Sequence, residues 1–148
     1  RIPCGRMNGL SVWKGRIFGH CRKLPLQNQL ILFQWMFRLS LWNEFCRIFV
    51  DFLSDTGRAV LLIKPQFEAG RSDVGKNGIV RSKNVHVRVL HTVCMALEQQ
   101  GLHIQYLCPS PIRGGSGNIE YLVQVQRGNV SPIPYAPEAV AEQAWSQK

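Results

Sequence analysis

Two residues of this chain have types and surroundings suited to handling an alcohol. Lys64 follows the apolar run Ala59 to Ile63, and Glu120 stands at the start of a second strand-like run, Ile119 to Val125. A lysine held near a carboxylate and partly desolvated can orient or deprotonate a hydroxyl for attack on an electrophilic carbon. The bland alternative is an ion pair across two strand ends. The setting favours chemistry, because the flanking loops, around GRSDVGKNG after Lys64 and PSPIRGGSGN before Glu120, are denser in glycine and proline than turning the chain requires. Arg71, Lys76 and Arg113 lie in those loops and are the candidate nucleic-acid contacts, although loop arginines commonly meet only water.

The elements that must position this pair are legible from Val50 onward. Val50 to Ser54 reads as the end of a helix, and Ser54-Asp55-Thr56-Gly57 as its polar stop. Ala59 to Ile63 is short, β-branched and bounded by Gly57 and Pro65, which predicts a strand buried on both faces. Lys64 then stands at its carboxyl end, where ligands bind in open α/β sheets, and Pro65 cannot extend a central strand. Residues 66–84 form a long polar connection, and a connection of that length in a compact domain is usually functional. Ser82 to Gln100 predicts a helix, with Ser82 as N-cap, with Val85, Val89, Val93 and Leu97 every four residues, and with Gly101 as stop. Leu102 to Leu107 and Ile119 to Val125 are the second and third strands, separated by the loop Pro109 to Asn118. This order is half of a doubly wound α/β sheet. The tail from Gln126, with Pro132, Pro134 and Pro137, is expected to fray or pack loosely.

Other chemistries fit less well. Gly70 to Asn77 resembles a phosphate loop, but Asn77 stands where Ser or Thr must hold magnesium, and five residues separate the loop from its strand. His86 and His91 are five apart and do not share a helix face, so His86, His91 and His103 read as solvent or helix-flank residues and no metal is expected. Cys94 lies among apolar helix positions and reads as core packing. The five cysteines are odd in number and lack metal-ligand spacing, which suits reduced thiols in the cytoplasm.

At 148 residues the chain has the length of one domain, and its net charge of +9 is unevenly spread. Residues 1–49 hold eight Lys or Arg against Glu44 alone, so seven of the nine net charges lie in the first third, with three of the four tryptophans. Composition therefore changes near residue 50. Before that point no helical or alternating period is sustained. Residues 30–53 can be drawn as a basic amphipathic helix lying on a membrane, which keeps open a second reading, a basic RNA- or membrane-binding protein acting through residues 1–49. No secretory leader or membrane-length apolar run is recognised.

LLIKPQFEAGRSDVGKNGIVRS and PSPIRGGSGNIEYLVQV resemble the carboxyl half of the hemolysin A (TlyA) family, S-adenosylmethionine-dependent ribosomal RNA 2'-O-methyltransferases with an FtsJ-like catalytic domain. The resemblance runs from about Val50 to Val125. It implies a partial Rossmann-like methyltransferase fold, α/β with only the carboxyl half of the sheet, preceded by an irregular amino-terminal third. It also implies a Lys-Asp-Lys-Glu tetrad, in which Lys64 matches the second lysine and Glu120 the glutamate, the lysine activating the 2'-hydroxyl. The implied partners are S-adenosylmethionine and ribosomal RNA or a ribosomal subunit. The family's first lysine, glycine-rich cofactor loop and Asp-Val-Ser-Phe strand end have no counterpart in this chain. An exposed sheet edge where those strands belong would invite self-association.

The first third reads as the missing half in the wrong frame. Tryptophan and methionine have single codons, so starting each codon one base early forces Asp (GAT) across Trp35 and Met36, then Val (GTT), and Glu (GAA) across Trp42 and Asn43. Ordinary codon choices complete Asp-Val-Ser-Phe-Ile-Ser-Leu-Glu-Arg-Val-Leu-Pro, leading into Asp51-Phe52-Leu53. The same frame permits Leu-Glu-Arg-Thr-Asn at residues 12–18, so a single insertion or deletion near residues 48–50 accounts for both. The expected organisation is an out-of-frame segment over 1–49, the carboxyl half of the domain over 50–126, and a tail over 127–148. Such a chain is expected to be inactive alone.

Overall fold

The computed structural model describes residues 53–131 and 133–146, Val50, and the strand segments 6–7, 10–14 and 30–34. Six strands form one mixed sheet: β1 (Arg6–Met7), β2 (Leu10–Lys14), β3 (Leu30–Gln34), β4 (Arg58–Ile63), β5 (Leu102–Pro109) and β6 (Tyr121–Arg127), in the order β1-β2-β3-β4-β6-β5. β2, β3 and β4 run parallel, whereas β6 is antiparallel to both β4 and β5. Among the described residues the α-helices of a turn or more are α1 (Pro65–Glu68), α2 (Lys83–Gln99) and α3 (Pro137–Ser146).

The three strands expected from Ala59, Leu102 and Ile119 are present, and β6 inserts between the other two. β4 departs from the expectation of burial on both faces: Ala59, Leu61 and Ile63 are buried while Val60 and Leu62 are half-buried. Its buried face joins the cluster formed with Val85, Val89, Leu90, Val93 and Leu97 of α2. α2 begins after Ser82, which occupies the N-cap position without closing a side-chain bond. Of the expected helix end, Val50 is helical while Leu53 and Ser54 are not, and residues 51–52 lie outside the described residues. The Gly57 N–H donates to the Ser54 carbonyl at 2.8 Å, and Arg127 at the end of β6 donates from Nη1 to the carbonyls of Val50 and Leu53, at 2.8 and 2.7 Å.

Three expectations are corrected. The first third is not wholly irregular, since it supplies β1, β2 and β3, and Leu30–Gln34 is a strand rather than the start of an amphipathic helix. The remainder of that drawn helix, apart from Val50 and Leu53, lies outside the described residues. β3 pairs with β4, Leu30 opposite Arg58 through Gln34 opposite Leu62, so β4 has a neighbour on each side and presents no open edge. The tail does not pack loosely throughout: α3 lies against α2 and β5 and buries Ala141 and Ala144. Pro137 at its start costs no helical hydrogen bond, and its small alanines allow close approach.

Candidate functional site

The antiparallel pairing of β4 with β6 sets Ile63 opposite Tyr121, so the next residues out, Lys64 and Glu120, meet at one end of the sheet. Lys64 Nζ lies 3.1 Å from Glu120 Oε1, with side chains 11% and 5% exposed. Pro65 turns the chain out of the sheet into α1 immediately after the lysine. Gln66, on that turn, donates from Nε2 to the same carboxylate oxygen at 3.3 Å. Glu120 can only accept when ionised, so the amide nitrogen of Gln66 must face it and the amide oxygen turns away. That oxygen, Gln66 Oε1, is buried and has no hydrogen-bond partner among the described residues.

Glu120 owes its position to a glycine. A Cβ on Gly114 would stand 2.1 Å from Glu120 Oε1 and 2.6 Å from its Cδ. The φ of Gly114 is −72°, which any residue can adopt, so the requirement for glycine is steric and comes from the carboxylate alone. Gly114→Ala is therefore expected to push Glu120 off Lys64 and to cost about 1 to 3 kcal/mol through overpacking, measured by urea unfolding. An unchanged midpoint would show that the carboxylate moves aside freely.

Arg71, Lys76 and Arg113 are all exposed and do not join the buried pair. They ride on two loops, residues 70–82 and 110–118, that Asn118 ties together. Its Nδ2 donates to the carbonyls of Gly78 (3.0 Å) and Gly115 (3.2 Å), and its Oδ1 accepts from the Val80 N–H at 3.3 Å. Reading the sequence for charged and nucleophilic types missed Gln66, Gly114 and Asn118. The usable signal was the spacing Gly-x-x-Gly-x, which occurs in both loops as GKNGI and GGSGN.

The histidines divide. His91 is exposed and pairs with Glu138 of α3 at 2.7 Å, and that contact holds the Glu138 carboxyl below its ordinary range. His86 corrects the expectation of a flank residue, because it is fully buried. Its Nε2 lies 3.1 Å from the Val80 carbonyl and its Nδ1 2.9 Å from the Tyr121 hydroxyl. His86 is the fourth residue of α2, on the face that also buries Val85, Val89 and Leu90, and the ring is accepted there because both nitrogens find partners. Cys94 is buried, and desolvation pushes its thiol up to about 12, which leaves it inert and in the core. The near-phosphate loop forms two 3-10 turns, Arg71–Asp73 and Lys76–Gly78, and opens no α-helix before Lys83. Among the described residues no helix is long and apolar enough to cross a membrane.

Comparison with known proteins places the chain in a family. Residues 47–127 match the family described as FtsJ-like methyltransferase. YqxC of Bacillus subtilis, named as an rRNA methyltransferase, is 50% identical over 64 residues, which are 43% of this chain and 23% of that protein. The 16S/23S rRNA (cytidine-2'-O)-methyltransferase TlyA of Mycobacterium tuberculosis is 38% identical over 64 residues, 43% of this chain and 24% of its own. A solved structure from Streptococcus thermophilus carrying the hemolysin name superposes with a TM-score of 0.70 at 36% identity, over 80% of this chain and 42% of that one. The chain spans about a quarter of the length of the curated relatives it matches. With more than half of its length inside the matched region, the chain belongs to the FtsJ-like methyltransferase family.

Proposed function

We propose that residues 50–126 derive from an S-adenosylmethionine-dependent ribosomal RNA ribose 2'-O-methyltransferase, and that this chain by itself does not transfer methyl groups. What carries the reading is the buried Lys64–Glu120 pair at the strand ends, 3.1 Å apart, beneath two loops that bear Arg71, Lys76 and Arg113. A ribose hydroxyl entering beside Lys64 would donate to or accept from the amine, while Glu120 and Gln66 fix where that amine points. The exposed cations would hold the flanking phosphates.

The cofactor half does not fit. S-adenosylmethionine presents a ribose diol, an adenine and a zwitterionic amino-acid end, and in open α/β sheets such a ligand lies beyond the carboxyl ends of the parallel strands. In this chain β2 and β3 end at Lys14 and Gln34, and the segments that follow them, 15–29 and 35–49, contain one carboxylate between them, Glu44. Glu120 is engaged with Lys64 and Gln66, and Asp73 with Arg88.

The single codons of Trp35, Met36 and Trp42 support the frame reading, because the aspartate and the glutamate that they force in the other frame require no choice among synonymous codons. The coding DNA over codons 34–52 tests this directly. Adding or removing one base near codon 49 is expected to restore Asp-Val-Ser-Phe and a protein that methylates ribosomal RNA, with Lys64→Ala in it about 10²- to 10⁴-fold slower. Turnover on ribosomal RNA by the unrestored chain would overturn the inactivity. Codons that forbid the shifted residues would favour a genuine basic segment acting through residues 1–49.

A further inference from the structure

The two loops over the Lys64–Glu120 pair carry the same turn twice. One spans Gly75 to Ile79 and the other Gly114 to Asn118. In each, the first N–H donates to the fifth carbonyl, Gly75 to Ile79 and Gly114 to Asn118, both at 2.9 Å. In each, the fourth N–H donates back to the first carbonyl, Gly78 to Gly75 and Gly117 to Gly114, both at 3.1 Å. The third and fourth residues are left-handed in both: Asn77 and Gly78 at φ 66° and 72°, Ser116 and Gly117 at 60° and 82°. Glycine at the fourth position carries that conformation without steric cost, and Asn tolerates it at the third.

Asn118 is the fifth residue of the second turn and is 4% exposed. It uses one N–H on the Gly78 carbonyl of the first turn, the other on the Gly115 carbonyl of its own, and its oxygen on the Val80 N–H. A single side chain thus fixes both turns relative to each other. Lys76 is two residues from one tied carbonyl, and Arg113 two residues from the other, with Arg113 Nη1 also reaching the Gly117 carbonyl at 3.4 Å. Both cations are exposed beside short turns closed by backbone hydrogen bonds. Two independently moving loops would each lose conformational freedom on gripping a polyanion, whereas two loops already joined lose little.

We propose that Asn118 is a positioning residue that makes the two turns one jaw, so that Lys76 and Arg113 hold the phosphates of a single RNA strand at the Lys64–Glu120 pair. This rests on the reading of these loops as RNA contacts. The test uses the full chain and a labelled single-stranded oligoribonucleotide, titrated at several salt concentrations. Lys76→Ala and Arg113→Ala are each expected to weaken binding severalfold and to lower the salt slope by about one. Together they should lose less than the product of their separate effects, because removing either frees the strand from the other.

Asn118→Ala changes no charge, so an electrostatic account predicts no loss. The jaw predicts a severalfold loss, additive effects of Lys76→Ala and Arg113→Ala in that background, and faster hydrogen exchange at the Val80 amide. Should Asn118→Ala fail to fold, Asn118→Asp keeps the acceptor for Val80 and removes both donors. It is compared with Asn77→Asp, which adds the same charge to the exposed tip of the first turn, and it should bind more weakly. If neither Lys76→Ala nor Arg113→Ala alters binding, the RNA reading of the loops fails and the jaw with it. If both weaken binding while Asn118→Ala, or Asn118→Asp against its control, does not, the RNA reading stands and the positioning role is overturned.

Discussion

Glu120→Leu is expected to cost about 3 to 5 kcal/mol of unfolding free energy, because it leaves the Lys64 ammonium nearly buried and without its carboxylate. Gln66 would lose its acceptor in the same step, since its Nε2 donates to the same oxygen. The more informative variant is the double one. Lys64→Met with Glu120→Leu removes both charges at similar volume, and such exchanges of a buried pair are commonly neutral or stabilising by about 1 to 4 kcal/mol. Urea unfolding of the two variants and the parent should therefore show a deep loss in the single and near-recovery in the double. That result would mean the pair contributes little net stability and stands at the strand ends for what it does to a ligand. A double variant as unstable as the single would instead mean that the pair is structural, and the bland ion-pair reading would lead. Lys64 and Glu120 are in contact, so their non-additivity is itself the measurement.

The carboxyl two-thirds of the fold was legible because each local signal there agrees with the others. The four-residue recurrence of Val85, Val89, Val93 and Leu97, closed by Gly101, marks α2, and the structure buries all four. The pairing of Lys64 with Glu120 followed from their positions at strand ends, and antiparallel register brings them together. Legibility failed where tertiary contacts decide. Leu30–Gln34 is a strand because β4 offers it a parallel partner, and its run of Leu, Ile, Leu and Phe has no alternation that would declare it. α3 packs on α2 and β5, and the two prolines before it, with Pro137 at its first position, concealed a segment that packs. Asn118 and Gly114 act through backbone carbonyls and through the absence of a Cβ, and only the repeated Gly-x-x-Gly-x spacing of the two loops marks them in the sequence. The burial of His86 is hidden for a related reason: its spacing from His91 speaks only to a shared helix face and says nothing of Val80 and Tyr121, which come from other segments.

His86 is also where stability should depend on pH. The Val80 carbonyl can only accept, so Nε2 carries the proton and Nδ1 accepts from the Tyr121 hydroxyl. The ring packs edge-on against Tyr121 and Trp145, at centroid distances of 5.7 and 4.5 Å, so α2, β6 and α3 meet on it. Burial lowers its pKa from the ordinary 6.5, with the Val80 bond opposing in part. In the folded chain the imidazole therefore stays neutral where the unfolded chain would already bind a proton. The contribution is complete above about pH 6.5 and is lost as pH falls from there through the folded pKa, because the unfolded state takes up the extra proton. The His86→Gln chain should lose less stability over that window than the parent, with the exposed His91–Glu138 pair common to both. Parallel stability profiles for parent and variant would show that the ring is protonated without cost. His86→Ala should be destabilised by about 3 to 5 kcal/mol at neutral pH, since it opens a cavity and leaves the Tyr121 hydroxyl and the Val80 carbonyl each short of a partner. Tyr121, the first residue of β6, follows Glu120 directly, and Val80 is the residue whose N–H meets Asn118. Loosening either should be felt at the Lys64–Glu120 pair, so acidification is expected to weaken RNA binding by the parent beyond what it does to the His86→Gln chain.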